Sequence, residues 1–382
     1  MTDFVGLTWD HPRGRHALEA AAGSIGSGDS LRWEAQSLEG FESAPIDELA
    51  RRYDLLVLDH PHLGDALVAQ CLVPVDTLFP PAQLAQWTDA AIGPSLESYR
   101  LGGHVWALPL DAATQVSARN PALVPVAPES WDDAIRLAGD GLVATTLAGP
   151  HAFLSLCSIA VSLGDDPAAA SDRLFDPAIA AEALRLLIAL SALAPAGTAA
   201  LNPIGLLDRM RDAGDIGYVP LIYGYVTHSS PSVVFGPPPT AGGRIGSTIG
   251  GTGIAVTTRT SATPALLAHL AWLLDAETQS TFIPEHDGQP SAAIAWHDDH
   301  VDAAASGFYR ATAATIDQSW VRPRLPGFTR FQSAASAIVR DTVAGRLSPA
   351  EAIPLIERRF TDIRAAAARM PAFAHALQEQ PA

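Results

Sequence analysis

Two copies of the tripeptide Asp-His-Pro, at 10–12 and 59–61, carry the residue types best suited to chemistry in this sequence. Each copy directly follows an apolar run that is typical of a strand, so each strand is expected to end in a carboxylate and an imidazole. Open α/β sheets bind ligands at the carboxyl ends of their strands, where two neighbouring loops form a crevice. The sequence therefore predicts one crevice that is faced by Asp10, His11, Asp59 and His60.

These side chains suit two kinds of chemistry. They can hydrogen-bond the hydroxyl or ammonium groups of a ligand without reacting with it. They can also transfer protons as general acids and bases, in which case the same four residues would be catalytic. A structural alternative remains, in which each aspartate caps the following helix and each histidine packs at the rim.

A metal site is a further alternative. His60 and His62 lie on the same side of an extended segment, and His11 or Asp10 could complete a set of three ligands. A second histidine pair, at 297 and 300, lies in a polar segment that is typical of a solvated helix start. Scattered surface histidines are common in soluble proteins, so the sequence favours no metal at either place.

The composition excludes several classes of protein. The chain contains no lysine, and its 24 basic residues are all arginines, which excludes Schiff-base enzymes and phosphate-loop NTPases. A net charge of −17 argues against nucleic acid or an anionic membrane as a partner. No run of 18 apolar residues occurs, so no membrane insertion is expected. The glycine-rich stretch 246–253 lacks the context of a dinucleotide fingerprint, so no cofactor is predicted.

The elements that must position these residues alternate between strands and helices. Strands are predicted over 4–9, 31–35 and 54–59, with intervening helices over 15–22 and 46–52. This alternation indicates crossover units and a parallel sheet, and therefore an α/β fold. Further strands are predicted over 141–147, 216–223 and 254–257, and the chain is expected to be mostly helical from Thr263 onward.

Five segments, taken in order, resemble the extracellular solute-binding proteins of ABC importers, particularly the sugar-binding group with the type II periplasmic-binding fold. The most specific is 103–111, Gly-His-Val-Trp-Ala-Leu-Pro-Leu-Asp, which is similar to the strand that crosses from the first lobe to the second in that family. The resemblance covers most of the chain, and its other segments are 53–59, 72–76, 128–133 and 250–256.

The resemblance implies two α/β lobes joined by crossing strands, with a ligand clamped between them by hinge closure. The first lobe would comprise 1–110 and 248–300, and the second 111–247 and 301–382 with the C-terminal helices. In such a fold Asp111 and Gln115 would lie at the floor of the cleft and bridge the lobes through the ligand.

Other residues extend the predicted site. Tyr223 and Tyr225 place two rings on one face of an extended chain, which suits stacking on a sugar ring as well as core packing. Gly251 and Thr252 belong to the glycine-rich stretch, whose glycines would let a strand pass close to a ligand. In a later loop, Arg322 and one further arginine, Arg324, could hold a carboxylate or a phosphate, although arginines that flank a proline are more often structural.

Two functions follow from these observations. The first is a solute-binding protein that clamps a small polar ligand, a sugar or a sugar-like compound, and delivers it to an ABC permease. The second is a cytoplasmic enzyme on the same fold that uses the cleft aspartates and histidines on a polyol or sugar acid, as a lyase, isomerase or hydrolase. The N-terminus lacks the pattern of a signal peptide, so the protein is expected to be periplasmic if a leader was removed and cytoplasmic otherwise.

Overall fold

The computed structural model describes residues 2–26, 28–170 and 172–378 of the 382-residue chain. Nine strands occur in these ranges. They are β1 Asp3–Trp9, β2 Ser30–Gln36, β3 Leu55–Leu58, β4 Arg100–Leu101, β5 His104–Val105, β6 Leu108–Arg119, β7 Tyr218–Tyr223, β8 Val234–Gly236 and β9 Ile249–Val256.

Helices surround these strands on both sides. In the first half they are α1 Pro12–Ala22, α2 Leu38–Ser43, α3 Ile46–Ala50, α4 Leu63–Ala69, α5 Pro81–Ala90, α6 Trp131–Ala138, α7 His151–Ser162 and α8 Pro177–Ser191. In the second half they are α9 Pro203–Asp212, α10 Pro264–Leu273, α11 Ala276–Ser280, α12 Phe282–Glu285, α13 Ala293–Trp296, α14 Asp299–Ala304, α15 Phe308–Asp317, α16 Phe328–Val343, α17 Pro349–Ala367 and α18 Pro371–Gln378.

The main sheet has the strand order β2-β1-β3-β9-β6-β7, and β8 pairs with β6. Strands β2, β1 and β3 are parallel, as predicted, but β9, β6 and β7 pair antiparallel, so the sheet is mixed rather than parallel. The resemblance implies strands that cross between the lobes, but neither it nor the alternation of strands and helices predicts the antiparallel pairing. The predicted α/β class is confirmed.

Strand β6 joins the two parts of the molecule. Its residues 108–114 pair with β9, and its residues 115–119 pair with β7. The backbone of β6 therefore passes from one part of the sheet to the other at Thr114 and Gln115. The C-terminal helix α18 lies against α4. The exact division of the chain into lobes stays a prediction.

Two local predictions differ from the structure. Helix α1 begins at Pro12 rather than at Arg15, because proline suits the first helical position and His11 caps the helix. The strand predicted over 141–147 is reduced to a single bridge between Val143 and Tyr218. Backbone bonds that join Leu142 and Ala144 to 217–218, together with the hydroxyls of Thr145 and Thr146, which bond to Ser191 and to the carbonyl of Leu221, hold this segment without a longer strand ladder.

Candidate functional site

Strands β1 and β3 are direct neighbours in the sheet, with Gly6 opposite Leu55 and Leu7 opposite Leu56. Their carboxyl ends open onto a narrow cavity of about 60 Å³. The cavity lies between the N-terminal part of the chain and helices α7 and α16. Its aromatic and ionisable lining residues are Trp9, Arg13, Phe41, Glu42, Asp59, His62, His151, Tyr223, Tyr225 and Arg322.

Asp59 and Arg322, which both line this cavity, form an ion pair. Nη2 of Arg322 lies 2.8 Å from Oδ1 and 2.6 Å from Oδ2 of Asp59, and only 3% of the Arg322 side chain is exposed. Burial alone would raise the pKa of Asp59, but the Arg322 guanidinium and His60 outweigh it and hold the pKa well below the usual range. Asp59 is therefore a carboxylate at neutral pH, and Arg322 cancels its charge.

A second buried ion pair joins α1 to the crossing strand β6. Nε of Arg13 donates to Oδ2 of Asp111 at 2.6 Å, and Nη2 donates to Oδ1 at 3.0 Å. The remaining terminal nitrogen, Nη1, donates to the carbonyl of Gly224 at 2.9 Å. Asp111 is thus fully engaged by Arg13 and lies beneath the cavity rather than in its lining. This placement differs from the predicted direct role at the cleft floor.

An aromatic cluster packs around Arg13. The guanidinium carbon of Arg13 lies 4.7 Å from the ring centre of Tyr225 and 5.4 Å from that of Trp9. The His11 ring stacks on Trp9 at 5.0 Å, and its Nδ1 accepts a hydrogen bond from the backbone N–H of Arg13. Burial, together with the neighbouring Arg13 guanidinium, lowers the pKa of His11 to about 3, so the ring is neutral. His11 caps α1 and does not line the cavity, contrary to prediction.

Asp10 and His60 also lie outside the cavity lining. The carboxylate of Asp10 points to solvent and pairs with Arg15 at 2.5 Å, because the backbone turns into α1 at this residue. His60 begins a 3-10 turn that directs its ring into the core beneath β3, where it meets Tyr99 edge-on. The expectation that two aspartates and two histidines face one another is therefore wrong, since only Asp59 reaches the cavity.

Gln115 is another predicted cleft residue that the structure places elsewhere. It is fully buried, and its amide oxygen accepts a 2.6 Å hydrogen bond from the Ser158 hydroxyl of α7. Gln115 therefore ties β6 to α7 instead of facing the cavity.

The predicted residues Tyr223, Tyr225, Gly251 and Thr252 do line the cavity. Tyr223 packs directly on Gly250, where a Cβ atom would come within 2.6 Å of the ring. Gly251 has φ +95°, and a Cβ atom there would lie 2.4 Å from the carbonyl oxygen of Asp111. Only glycine allows β9 to pass this close to β6 and to the rings. Contact of these residues with a ligand stays a prediction.

Several lining residues were missed by the sequence interpretation. Glu42 on α2 and His151 on α7 approach across the cavity, with Oε1 of Glu42 3.3 Å from Nε2 of His151. The other polar or aromatic residues of this kind are Trp9, Arg13, Phe41, Thr329 and Gln332, whereas His62, considered above only as a metal ligand, also lines the cavity. Arg13 was detectable in principle, because a cation directly after a strand-ending Asp-His-Pro must lie at the same sheet edge. Glu42 and His151 carry no comparable local signal.

Some polar atoms at the cavity make no hydrogen bond within the described part of the chain. These are Nε of Arg322, Nε1 of Trp9 and both ring nitrogens of His151, of which Nε2 lies 3.3 Å from Oε1 of Glu42 without forming a hydrogen bond. In 2–26, 28–170 and 172–378, no group of three or more His, Cys, Asp or Glu residues is placed to hold a metal ion, so the three-ligand alternative around His60 and His62 is not formed. None of the helices in the same ranges is long and apolar enough to cross a membrane.

The chain was compared with known proteins by sequence and by structure. No protein-family model matches it, and no curated protein matches it. Solved structures do match. The ABC transporter solute-binding protein from Agrobacterium radiobacter K84 in complex with ribitol has a TM-score of 0.78 at 18% identity, over 95% of this chain and 98% of that one.

Two further solved structures are similar over nearly their whole length. The solute-binding protein from Agrobacterium vitis S4 with bound D-mannitol has a TM-score of 0.75 at 15% identity, over 97% of this chain and 100% of that one. Maltose-bound MalE3 from T. maritima has a TM-score of 0.77 at 14% identity, over 96% and 100%. These TM-scores over nearly the whole length establish the fold, so the two-lobed architecture of such proteins is confirmed for this chain.

Proposed function

We propose that this protein is a solute-binding protein whose two lobes close on an uncharged, polyhydroxylated ligand, a sugar or a polyol, for delivery to an ABC permease. Such a role would place the working protein outside the cytoplasmic membrane. The similar solved structures support the class of ligand, since those described above hold ribitol, D-mannitol and maltose.

The observation that carries the proposal is the internal pairing of charge around the cavity. Among the described residues, the two arginines that line it are already matched, Arg13 by Asp111 and Arg322 by Asp59. The carboxylate of Glu42 lies against His151. A charged ligand would have to break or outcompete one of these buried pairs, and that costs several kcal/mol. An uncharged ligand leaves the two arginine–aspartate pairs intact.

The cavity offers what sugar and polyol hydroxyls need. Nε of Arg322 can donate a hydrogen bond, and the two ring nitrogens of His151 can donate one and accept one. A hydroxyl group both donates and accepts, so it can bind to all of them. Buried polar atoms are normally hydrogen-bonded, so unpaired ones at a cavity mark positions where a ligand can bind. The rings of Tyr223 and Tyr225 add apolar faces for the carbon skeleton.

The volume of the cavity indicates a closed conformation. Ligand sites usually measure about 300–1,000 Å³, whereas this cleft holds about 60 Å³. A pentitol or hexose can therefore enter only after the lobes separate. Strand β6 crosses between the two parts at Thr114 and Gln115. Next to this crossing, the first residue of β9, Ile249, donates its backbone N–H to the carbonyl of Trp320. These backbone positions are the natural hinge.

Isothermal titration calorimetry with ribitol, D-mannitol, D-glucose and maltose tests the proposal, with D-glucosamine as the charged analogue of D-glucose. At least one neutral compound should bind with a stoichiometry of one, and D-glucosamine should bind at least tenfold more weakly than D-glucose wherever D-glucose binds. NMR of the bound compound should show it unchanged after hours, as expected for a binder without chemistry. Absence of binding by all four neutral compounds and by other common polyols would refute the proposal.

A matched pair of variants locates the binding in the cleft. His151→Ala removes two ring nitrogens that make no hydrogen bond, one of which lies against Glu42, and should weaken binding of the neutral ligand about three- to tenfold. His297→Ala changes an exposed histidine far from the cavity lining and should leave the affinity unchanged. Equal effects from the two variants would contradict the assignment of the site.

A further inference from the structure

A second cavity, with a volume of about 770 Å³, lies beside the segment 318–325. Its walls come from the loop 166–169, the turn at Arg244, and the facing sides of α17 and α18. Its volume falls within the range of about 300–1,000 Å³ that is usual for ligand sites. It is therefore large enough for a small organic molecule without any movement of the lobes.

Three arginines line this cavity without a carboxylate partner. Within the described ranges, Arg244, Arg324 and Arg364 form no ion pair, and Arg322 in the same wall is already matched by Asp59. Arg244 donates to the carbonyl of Asp165 at 2.8 Å, and Arg364 donates to that of Ala170 at 3.2 Å. Backbone carbonyls orient a guanidinium but leave its charge uncompensated.

The acidic side chains of the described residues do not balance this charge. Among them, the carboxylate of Asp166 is the one that contributes to the cavity wall, against three unmatched guanidinium groups. The chain as a whole carries a net charge of −17, so a positive cavity runs against its general electrostatics. An anion would be attracted to this place on an otherwise acidic protein.

Arg324 is the most informative of the three. Its side chain is half-buried, and its Nε lies out of solvent without a hydrogen-bond partner in the part of the chain that the structure describes. Burial lowers the pKa of Arg324, and Glu97 opposes this only in part. A partly buried cation whose nitrogen lacks a partner is costly unless something compensates it. A carboxylate or phosphate in the cavity would supply that compensation.

Apart from Gln318 and Ser319, the rest of the wall is apolar. Trp320 and Phe360 contribute aromatic rings, and Phe373 and Leu325 contribute further carbon surface. This combination suits an anion with an organic body better than a bare ion. We propose that the cavity is a second binding site, separate from the interlobe cleft, for a small organic anion whose carboxylate or phosphate group meets Arg324 and Arg364.

Calorimetric titration of the full chain, without any sugar or polyol present, tests this proposal independently of the proposed function. The probes are benzoate for the carboxylate arm, phenyl phosphate for the phosphate arm and benzyl alcohol as the neutral counterpart. At least one anion should bind with a stoichiometry of one, and benzyl alcohol should bind at least tenfold more weakly. The tighter anion identifies the preferred charged group. Equal binding of benzyl alcohol, or no binding of either anion at millimolar concentration, overturns the proposal.

Variants that remove one positive charge each then locate the site. Arg324→Gln should weaken binding of the anion about tenfold or more, as expected for the loss of a charge-assisted hydrogen bond. Arg185→Gln removes an exposed charge on α8 and should change the affinity less than twofold. If the two variants weaken binding equally, only net charge matters and no site exists. Arg364→Gln provides the same test if Arg324→Gln does not fold.

Discussion

Arg13 holds both carboxylate oxygens of Asp111 in a buried fork, with only 5% and 3% of the two side chains exposed. The pair joins the first turn of α1 to the strand that crosses between the two parts of the molecule. Its third contact, to the carbonyl of Gly224, reaches the chain just after β7. Three elements that are distant in sequence therefore converge on one guanidinium directly beneath the cleft.

Breaking this pair should be strongly destabilising. Arg13→Met leaves the Asp111 carboxylate buried without a partner, so we expect the free energy of unfolding to fall by about 3–5 kcal/mol. The double variant Arg13→Met/Asp111→Leu removes both charges and should recover part of that loss. Arg15→Met, at a half-exposed position in the same helix, should cost less than about 1 kcal/mol. Urea unfolding at pH 7 measures all three. If Arg13→Met lowers the free energy of unfolding no more than Arg15→Met does, the argument is contradicted.

His60 should make stability depend on pH. Burial and then the Arg322 guanidinium lower the pKa of His60 to about 4, against about 6.5 in the unfolded chain. As the pH falls, the unfolded chain binds the proton first, so this stabilising contribution is complete above about pH 6.5 and is lost as the pH falls towards 4. Down to pH 4.5 the loss should reach about 2 kcal/mol.

The His60→Gln variant removes this titration. Between pH 7 and pH 4.5, the free energy of unfolding of His60→Gln should therefore fall about 2 kcal/mol less than that of the natural sequence. His297→Gln replaces an exposed histidine and should leave the natural slope unchanged. Urea midpoints at pH 7, 5.5 and 4.5 decide the matter, and parallel curves for the natural protein and His60→Gln would show that His60 does not carry the effect.

Gly251 should tolerate no side chain. Its φ of +95° strains any other residue, and a Cβ atom would lie 2.4 Å from the carbonyl oxygen of Asp111. Gly251→Ala should therefore cost about 2–4 kcal/mol, from backbone strain and from overpacking against β6. Gly307→Ala has a similar φ of +81° with open space around it, so it should show the strain alone, about 1 kcal/mol. Thermal unfolding of both variants measures the difference, and equal losses would exclude the steric contribution.

The sequence allowed the fold and one part of the site to be predicted, for physical reasons. The two Asp-His-Pro segments end strands, and those strands are neighbours, so Asp59 was correctly expected at the sheet edge that opens onto the cleft. Local pattern does not determine which way a side chain turns after its strand ends. Asp10 turns to solvent and His60 to the core because of the backbone of the following helix or 3-10 turn.

The ion pairs of the site could not be predicted in the same way. Arg13 and Asp111 are 98 residues apart, and Asp59 and Arg322 are 263 apart. Neither pairing follows from periodicity or from a local motif, since each depends on how β6 and the segment after α15 return to the sheet. The composition indicated many arginines and many carboxylates, but only the assembled fold shows which of them neutralise each other.

Glu42 and His151 should control the closed conformation of the ligand-free protein. Their side chains approach to 3.3 Å across the cleft, from α2 on one side and α7 on the other. Glu42→Ala removes this contact, so we expect the free protein to shift towards an open form with a larger radius of gyration in small-angle X-ray scattering. Glu48→Ala, an exposed change on the neighbouring helix α3, should leave the radius unchanged. An unchanged radius in Glu42→Ala would show that other contacts across the cleft, such as Asp59 with Arg322, suffice to hold the lobes together.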